Sequence, residues 1–176
     1  MINLDQKYTA LIDEARRRGE ANIDDMRLCF EVLALATAID RACAARLAPY
    51  QLSESKFVLL FLLRNQDDGL SPHELSELSG VTRATITGLL DGLERDGFLV
   101  RHGHIEDRRK VLVRLTPKGE AVALDLFNEH SRWIASLFSG FNSQQREMLS
   151  SLLEMAKSNL TTSSQSPFAS LSEEKS

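Results

Sequence analysis

Cysteine is scarce in this chain. There are two in 176 residues, Cys29 and Cys43, and neither belongs to a CxxC or Cys/His cluster. That argues against a disulfide scaffold and a structural zinc site, and makes a reducing cytoplasm the default compartment. Long apolar runs are missing as well. None approaches the roughly 18–20 residues that a bilayer span needs, so no membrane partner is expected. The opening stretch, MINLDQKYTALIDEARRRGE, carries charge where an export signal has its apolar segment. Signature motifs of catalysis are absent: there is no Gly-rich phosphate loop, no GxSxG and no HExxH, and no spacing of Ser and His selects a triad. No catalytic residue, metal or cofactor is therefore expected, and the chain does not read as an enzyme.

What is present is a globular composition, 43% apolar and 26% charged. The net charge of −4 speaks mildly against a nucleic-acid partner, but its distribution speaks the other way. Residues 82–118 carry +3, whereas 1–60, 61–81 and 119–176 carry −1, −3 and −3. One basic segment inside an acidic protein is what phosphate contact requires, although an ordinary solvated face would look the same.

The 4 prolines and 9 glycines gather toward the middle of the chain. Residues 1–19 read as a short polar helix with an apolar stripe of Leu4, Tyr8, Leu11, Ile12 and Ala15, closed by Arg16-Arg17-Arg18 and Gly19. Asn22 or Asp24 can cap a second helix running to about Ala48, where Pro49 stops it. That helix is apolar on two faces, with Leu28, Leu35, Ile39 and Cys43 on one and Phe30, Leu33 and Thr37 on another, which points to a partner chain. Ser53 caps a short buried helix, ESKFVLLFLLRN.

From Leu70 onward the pattern changes. Ser71, Pro72 and Glu74 form a capping-box start for LSPHELSELSG, Gly80-Val81 make a turn, and Thr82 caps TRATITGLLDGLERDG, which Gly97 ends. Helix, tight turn, helix is helix-turn-helix spacing. Ile86, Leu89, Leu90 and Leu93 should face the core, leaving Arg83, Ala84, Thr87, Gly88, Asp91 and Arg95 outward. A hairpin follows, with strands Phe98–Arg101 and Val111–Thr116 around the polar loop HGHIEDRRK. Two amphipathic stretches come next, Pro117 to Phe138 and Ser143 to near Asn159, then a Ser-rich segment expected to be disordered.

A helix-turn-helix followed at once by a hairpin with a basic tip is a winged helix. Its second helix fits the major groove, where Thr82, Arg83, Ala84, Thr85 and Thr87 stand at or near its start. Arg108, Arg109 and Lys110 on the arm suit the negative potential of the minor groove. Ser71 and Thr82, at helix N-termini, suit phosphate. Each has a plainer reading too. Thr82 is first an N-cap, and Arg108 could be a solvated loop charge.

The segments ELSGVTRATITGLLDGLERDGFLVR and EDRRKVLVRLTPKG resemble the winged-helix core of the MarR-type bacterial transcription regulators. The most specific piece is Asp107-Arg108-Arg109 ahead of Leu115-Thr116 and Gly119, supported by Leu93-Glu94 with Gly97. The resemblance covers about residues 24–160. It implies a mainly α-helical homodimer that binds an inverted-repeat operator in double-stranded DNA, usually to repress, and releases it on binding a small anionic or phenolic effector. It also implies that Asp107 pairs with Arg109 to brace the wing, leaving Arg108 for the minor groove. Gly88 and the neighbourhood of Gly92 depart from the family, which often has basic residues there. The extension over 1–19 is similar to that of a subgroup with urate-responsive members, but that subgroup uses an early Trp and this chain has only Trp133.

The expected organisation is an N-terminal helical extension (1–22), helices for dimerisation and core (23–66), the winged helix-turn-helix lobe (67–117), C-terminal dimerisation helices (118–160) and a disordered tail (161–176). Cys29 and Cys43 are expected to pack in the core, the alternative being an oxidant sensor, which would need an accessible thiol of lowered pKa. His102, His104 and Glu106 could suggest a metal, but no third His or Cys is near in sequence. Arg46, Tyr50, His130 and Trp133 are of plausible type for an effector pocket, and helix packing explains His130 and Trp133 equally well. The rival function is a winged-helix module that docks other proteins without specific DNA binding.

Overall fold

In the computed structural model the described residues are 4–103 and 111–163. They form seven α-helices and one antiparallel hairpin: α1 Gln6–Arg18, α2 Ile23–Leu47, α3 Glu54–Arg64, α4 Pro72–Ser79, α5 Arg83–Arg95, β1 Leu99–Gly103, β2 Val111–Leu115, α6 Pro117–Leu137 and α7 Ser143–Ser163. The fold is the expected one, mainly α with a winged helix-turn-helix. The chain divides into two compact units, Met1–His130 and Ser131–Ser176. The division falls inside α6 rather than at its start, because Gly119, Ala123 and Leu126 in its first half are buried with the winged helix.

Local signals account for most helix ends. Gly19, at φ 71°, takes the left-handed conformation that ends α1, and its N–H reaches the carbonyls of Ala15 and Arg16. Asn22 is the N-cap of α2 by position, but its side chain makes no capping bond. The Ser53 hydroxyl accepts from the Lys56 N–H at 3.3 Å to start α3. In the second unit α7 runs on to Ser163, past the Asn159 end read from the sequence. There the Ser158 and Thr161 hydroxyls donate back to the carbonyls of Glu154 and Ser158, so these residues sit within a helix rather than in a tail. The remainder of the expected tail lies outside the described residues.

The core of the first unit is aliphatic. Leu47, Leu59, Leu60, Leu75, Ile86, Leu90, Leu93, Leu99, Val113 and Leu126 are each about fully buried. Leu89, expected with them, is only half-buried at the edge. The hairpin pairs Leu99 with Leu115 through Gly103 with Val111. It therefore reaches two residues further into the expected loop than the strand Phe98–Arg101 would. A third backbone segment joins it, as Leu70 and Val113 exchange hydrogen bonds of 3.1 and 2.8 Å just before α4. Gly69, at φ 82°, is required there, because a Cβ would lie 2.5 Å from the Val113 carbonyl oxygen.

One expectation needs correction. Cys43 is buried, but Cys29 is exposed. Apart from Cys43 and Leu47 at its C-terminal end, no residue of α2 is buried. Tyr8 stacks on Phe30 at 4.6 Å, so α1 shields one side of the helix. Leu28 and Cys29 are left uncovered by the described residues, and an apolar sequence neighbourhood alone does not bury a thiol.

Candidate nucleic-acid interface

The helix-turn-helix is tied together by its small hydroxyl residues. Ser71 and Glu74 close a full capping box: the Ser71 N–H donates to Glu74 Oε2 at 2.8 Å and the Glu74 N–H to Ser71 Oγ at 3.3 Å. The Ser71 hydroxyl also donates to the same carboxylate at 2.7 Å. A phosphate arriving at this helix start would therefore compete with a carboxylate. In the turn, Ser76 donates to the Val81 carbonyl and Ser79 to that of Leu75, both at 2.6 Å, with Gly80 at φ 68° between the helices.

Thr82 then begins α5. Its Oγ1 accepts from the Thr85 N–H at 3.3 Å and lies 2.9 Å from the Thr85 hydroxyl, so its capping role is realised. Ile86, Leu90 and Leu93 anchor α5 in the core. Thr82, Arg83, Ala84, Thr85 and Thr87 are all exposed together at its outward start. The Thr87 hydroxyl donates to the Arg83 carbonyl at 3.2 Å. The Arg83 guanidinium lies 3.0 and 3.2 Å from the two ring nitrogens of His73 on α4. Asp107, Arg108, Arg109 and Lys110 lie outside the described residues, as do His104 and Glu106.

Three features of this surface escape sequence reading because they join distant residues. Arg101 on β1 reaches back to α5, with Nη2 at 2.6 Å from Asp91 and Nη1 at 3.1 Å from Glu94. Its side chain is only 29% exposed, and it binds the first strand of the wing to the second helix while neutralising two carboxylates. On the other side of α5, Lys56 of α3 pairs with Asp96 at 3.0 Å. The Lys56 hydrogen bond holds the Asp96 carboxyl below the usual carboxylate range. Lys56 passes close to Gly92: a Cβ there would sit 3.1 Å from the flexible end of the Lys56 side chain, which would have to give by a few tenths of an ångström. The third is the Arg83–His73 pair.

Removing Arg101 should expose the charge it masks. Arg101→Ala leaves Asp91 and Glu94 unpaired on the helix expected to meet phosphate, so duplex affinity should fall about tenfold at low salt, with the deficit narrowing as salt screens the freed carboxylates. Titrations of wild type and variant across a salt series test this. A deficit that stays constant with salt would mean the loss is one of shape rather than charge.

Elsewhere in the first unit, Cys43 Sγ lies 3.5 Å from His130 Nε2, and the His130 ring stands 5.2 Å from that of Phe57. Burial pushes the Cys43 thiol up, with Glu54 and Asp40 adding to it, and pushes His130 down, with Arg46 adding to it. Both groups are thereby held neutral, and a buried thiol of raised pKa is a poor oxidant sensor. In the second unit Ile134, Ala135, Phe138, Leu149 and Leu153 line an open apolar groove with Arg146, whose Nη2 donates to the Phe138 carbonyl at 3.3 Å. Among the described residues no His/Cys/Asp/Glu cluster could hold a metal, and no helix is long and apolar enough to cross a membrane.

A MarR family model matches residues 52–111, from the residue before the Ser53 cap of α3 through the helix-turn-helix to the first residue of β2. The chain is 34% identical over 148 residues to the HTH-type transcriptional repressor YetL of Bacillus subtilis, covering 84% of this chain and 89% of that one. It is 28% identical over 145 residues to the HTH-type transcriptional regulator PecS of Dickeya dadantii, covering 81% and 87%. Among solved structures, the MepR–DNA complex of S. aureus superposes with a TM-score of 0.63 at 20% identity, covering 73% of this chain and 95% of that one. A MarR protein from Peptoclostridium difficile gives 0.61 at 23% identity, covering 82% and 90%. These two likenesses establish the winged-helix fold.

Proposed function

The chain belongs to the MarR family of DNA-binding transcriptional regulators, and from that premise we propose that it is a repressor that grips an inverted-repeat operator as a homodimer and lets go when a small effector binds. The observation that carries this reading is the outward start of α5. A helix pinned by Ile86, Leu90 and Leu93 presents Arg83, Ala84 and Thr87 to solvent, while its own anions, Asp91 and Glu94, are masked by Arg101. That is a surface able to enter a major groove. Arg108 would enter the minor groove, and Arg109 and Lys110 would meet phosphate, with Asp107 bracing Arg109.

The homodimer is supported by two uncovered apolar faces, one in each unit. Leu28, Val32 and Leu35 are exposed along α2, and Met148, Leu152 and Met155 along α7. Contiguous apolar surface of this kind marks an interface. A small anionic or phenolic effector is the class we propose, with Arg46, Tyr50 and His130 in the first unit as side chains of suitable type to meet it.

The test is titration against the duplex upstream of its own coding sequence and against a scrambled duplex, over a range of salt. Affinity should fall steeply with salt, with a log–log slope of about −0.9 per phosphate contacted, while the operator stays favoured by roughly a thousandfold or more. Equal affinity for both duplexes at every salt would leave the protein-docking module as the function.

A further inference from the structure

We propose that His73 is a specificity-determining positioning residue of the DNA-reading surface, its imidazole holding the Arg83 guanidinium at the start of α5. The inference rests on the reading that Arg83 meets base edges. Arg83 is exposed, is the first residue of α5, and has many rotatable bonds. An arginine free to swing in solvent reads bases poorly, because each contact must first order it. Here the guanidinium lies within hydrogen-bond distance of the His73 ring, at 3.0 and 3.2 Å from Nδ1 and Nε2. Guanidinium can only donate, so the contact needs a ring nitrogen with a free lone pair, and that exists only in neutral imidazole.

His73 is itself held in place. It is the second residue of α4, a helix whose start is fixed by Pro72 and the Ser71–Glu74 capping box. Its Nε2 faces Glu77 Oε1 at 3.6 Å, one turn further along. Of the elements packed on α4, α5 supplies Arg83 to the imidazole, and among the described residues α3 and β2 pair no charged side chain with it. Protonation therefore has a defined outcome. The ring loses its acceptor, turns a second cation toward Arg83, and gains an ion pair with Glu77. The guanidinium is released from its set position, and base discrimination at its site falls while backbone attraction rises slightly.

The experiment compares affinity for the operator with affinity for operators changed at single base pairs, at about pH 8 and about pH 5.5, on either side of the interval where imidazoles titrate. At the pair read by Arg83, discrimination by the wild type should be about fivefold greater at the higher pH. His73→Gln keeps a carbonyl acceptor and cannot titrate, so it should hold high discrimination at both values. His73→Lys places a permanent cation beside Arg83 and should discriminate poorly at both, with its melting temperature and helical content unchanged. A His73→Gln variant that keeps the wild-type pH response, or a His73→Lys variant that discriminates like wild type, overturns the proposal. Arg83→Ala separates the two layers. If it discriminates like wild type at every position, Arg83 reads no base, and both the underlying assignment and the role of His73 fall; if it loses discrimination, the histidine variants alone decide.

Discussion

Gly119→Ala should destabilise the winged lobe by about 2–3 kcal/mol and lower the melting temperature by roughly 5–10 °C. Two effects compete at this position, and their sizes decide the sign. Gly119 lies in the first turn of α6, where alanine would ordinarily improve the helix by up to about 1 kcal/mol. A Cβ here would stand 2.0 Å from the Phe98 carbonyl oxygen and 2.9 Å from its carbon, both backbone atoms that cannot swing aside. That oxygen is also fixed by its own partners. It accepts from the Thr116 N–H at 3.0 Å, and the Thr116 hydroxyl, 3.2 Å away, accepts in turn from the Gly119 N–H at 3.0 Å. Relief of the clash would have to displace α6 from the hairpin, so steric cost exceeds propensity gain. Gly88 supplies the control: it is exposed in α5 with nothing within 4 Å of its would-be Cβ, and Gly88→Ala should stabilise by about 0.5–1 kcal/mol. Denaturant melts of both variants test the pair. Equal stability of Gly119→Ala and wild type would mean that the first turn of α6 yields easily.

The same glycine shows what a sequence does and does not disclose. Gly119 is part of the family pattern that the chain resembles, but its physical reason is a carbonyl contributed from residue 98, invisible until the hairpin and α6 are seen together. The capping box of Ser71 and Glu74, the Thr82 cap and the left-handed Gly80 were legible, because each is a contract among residues three or four apart. The exposed set Thr82, Arg83, Ala84, Thr85 and Thr87 was legible for the same reason, since helical periodicity with Ile86, Leu90 and Leu93 inward leaves them outward. The pairs Lys56–Asp96 and Arg101–Asp91 were not, because ion pairing between elements has no periodic signature. Cys29 marks the limit of such local signals: its apolar neighbours in sequence predict burial, but it is exposed, because burial depends on which face the rest of the fold covers.

Val32→Glu should abolish dimerisation and lower operator affinity by a hundredfold or more while leaving the monomer folded. The residue is chosen for its exposure. Leu28, Val32 and Leu35 follow one another at helical spacing on α2 and retain 61, 45 and 47% of their accessible surface. A glutamate at position 32 therefore costs the isolated chain little, because it replaces a side chain that is about half exposed and can extend its carboxylate into water. In the proposed homodimer the same substitution enters twice, once from each protomer, and places carboxylates in an apolar interface without a cation to meet them. Several kcal/mol of desolvation per ion outweighs what a stripe of this size contributes, so the equilibrium should move to monomer. Operator affinity must then follow. A dimer engages two half-sites with one loss of translational and rotational freedom, whereas two monomers each lose their own, and effective concentrations in the millimolar range translate into factors of about 10²–10⁴. Sedimentation velocity, circular dichroism and operator titration on one preparation separate the possible results. A folded monomer that binds a single half-site weakly is expected. A variant that remains dimeric and grips the operator normally would place the interface elsewhere than the α2 stripe, and loss of helical signal would show that this face supports the monomer itself.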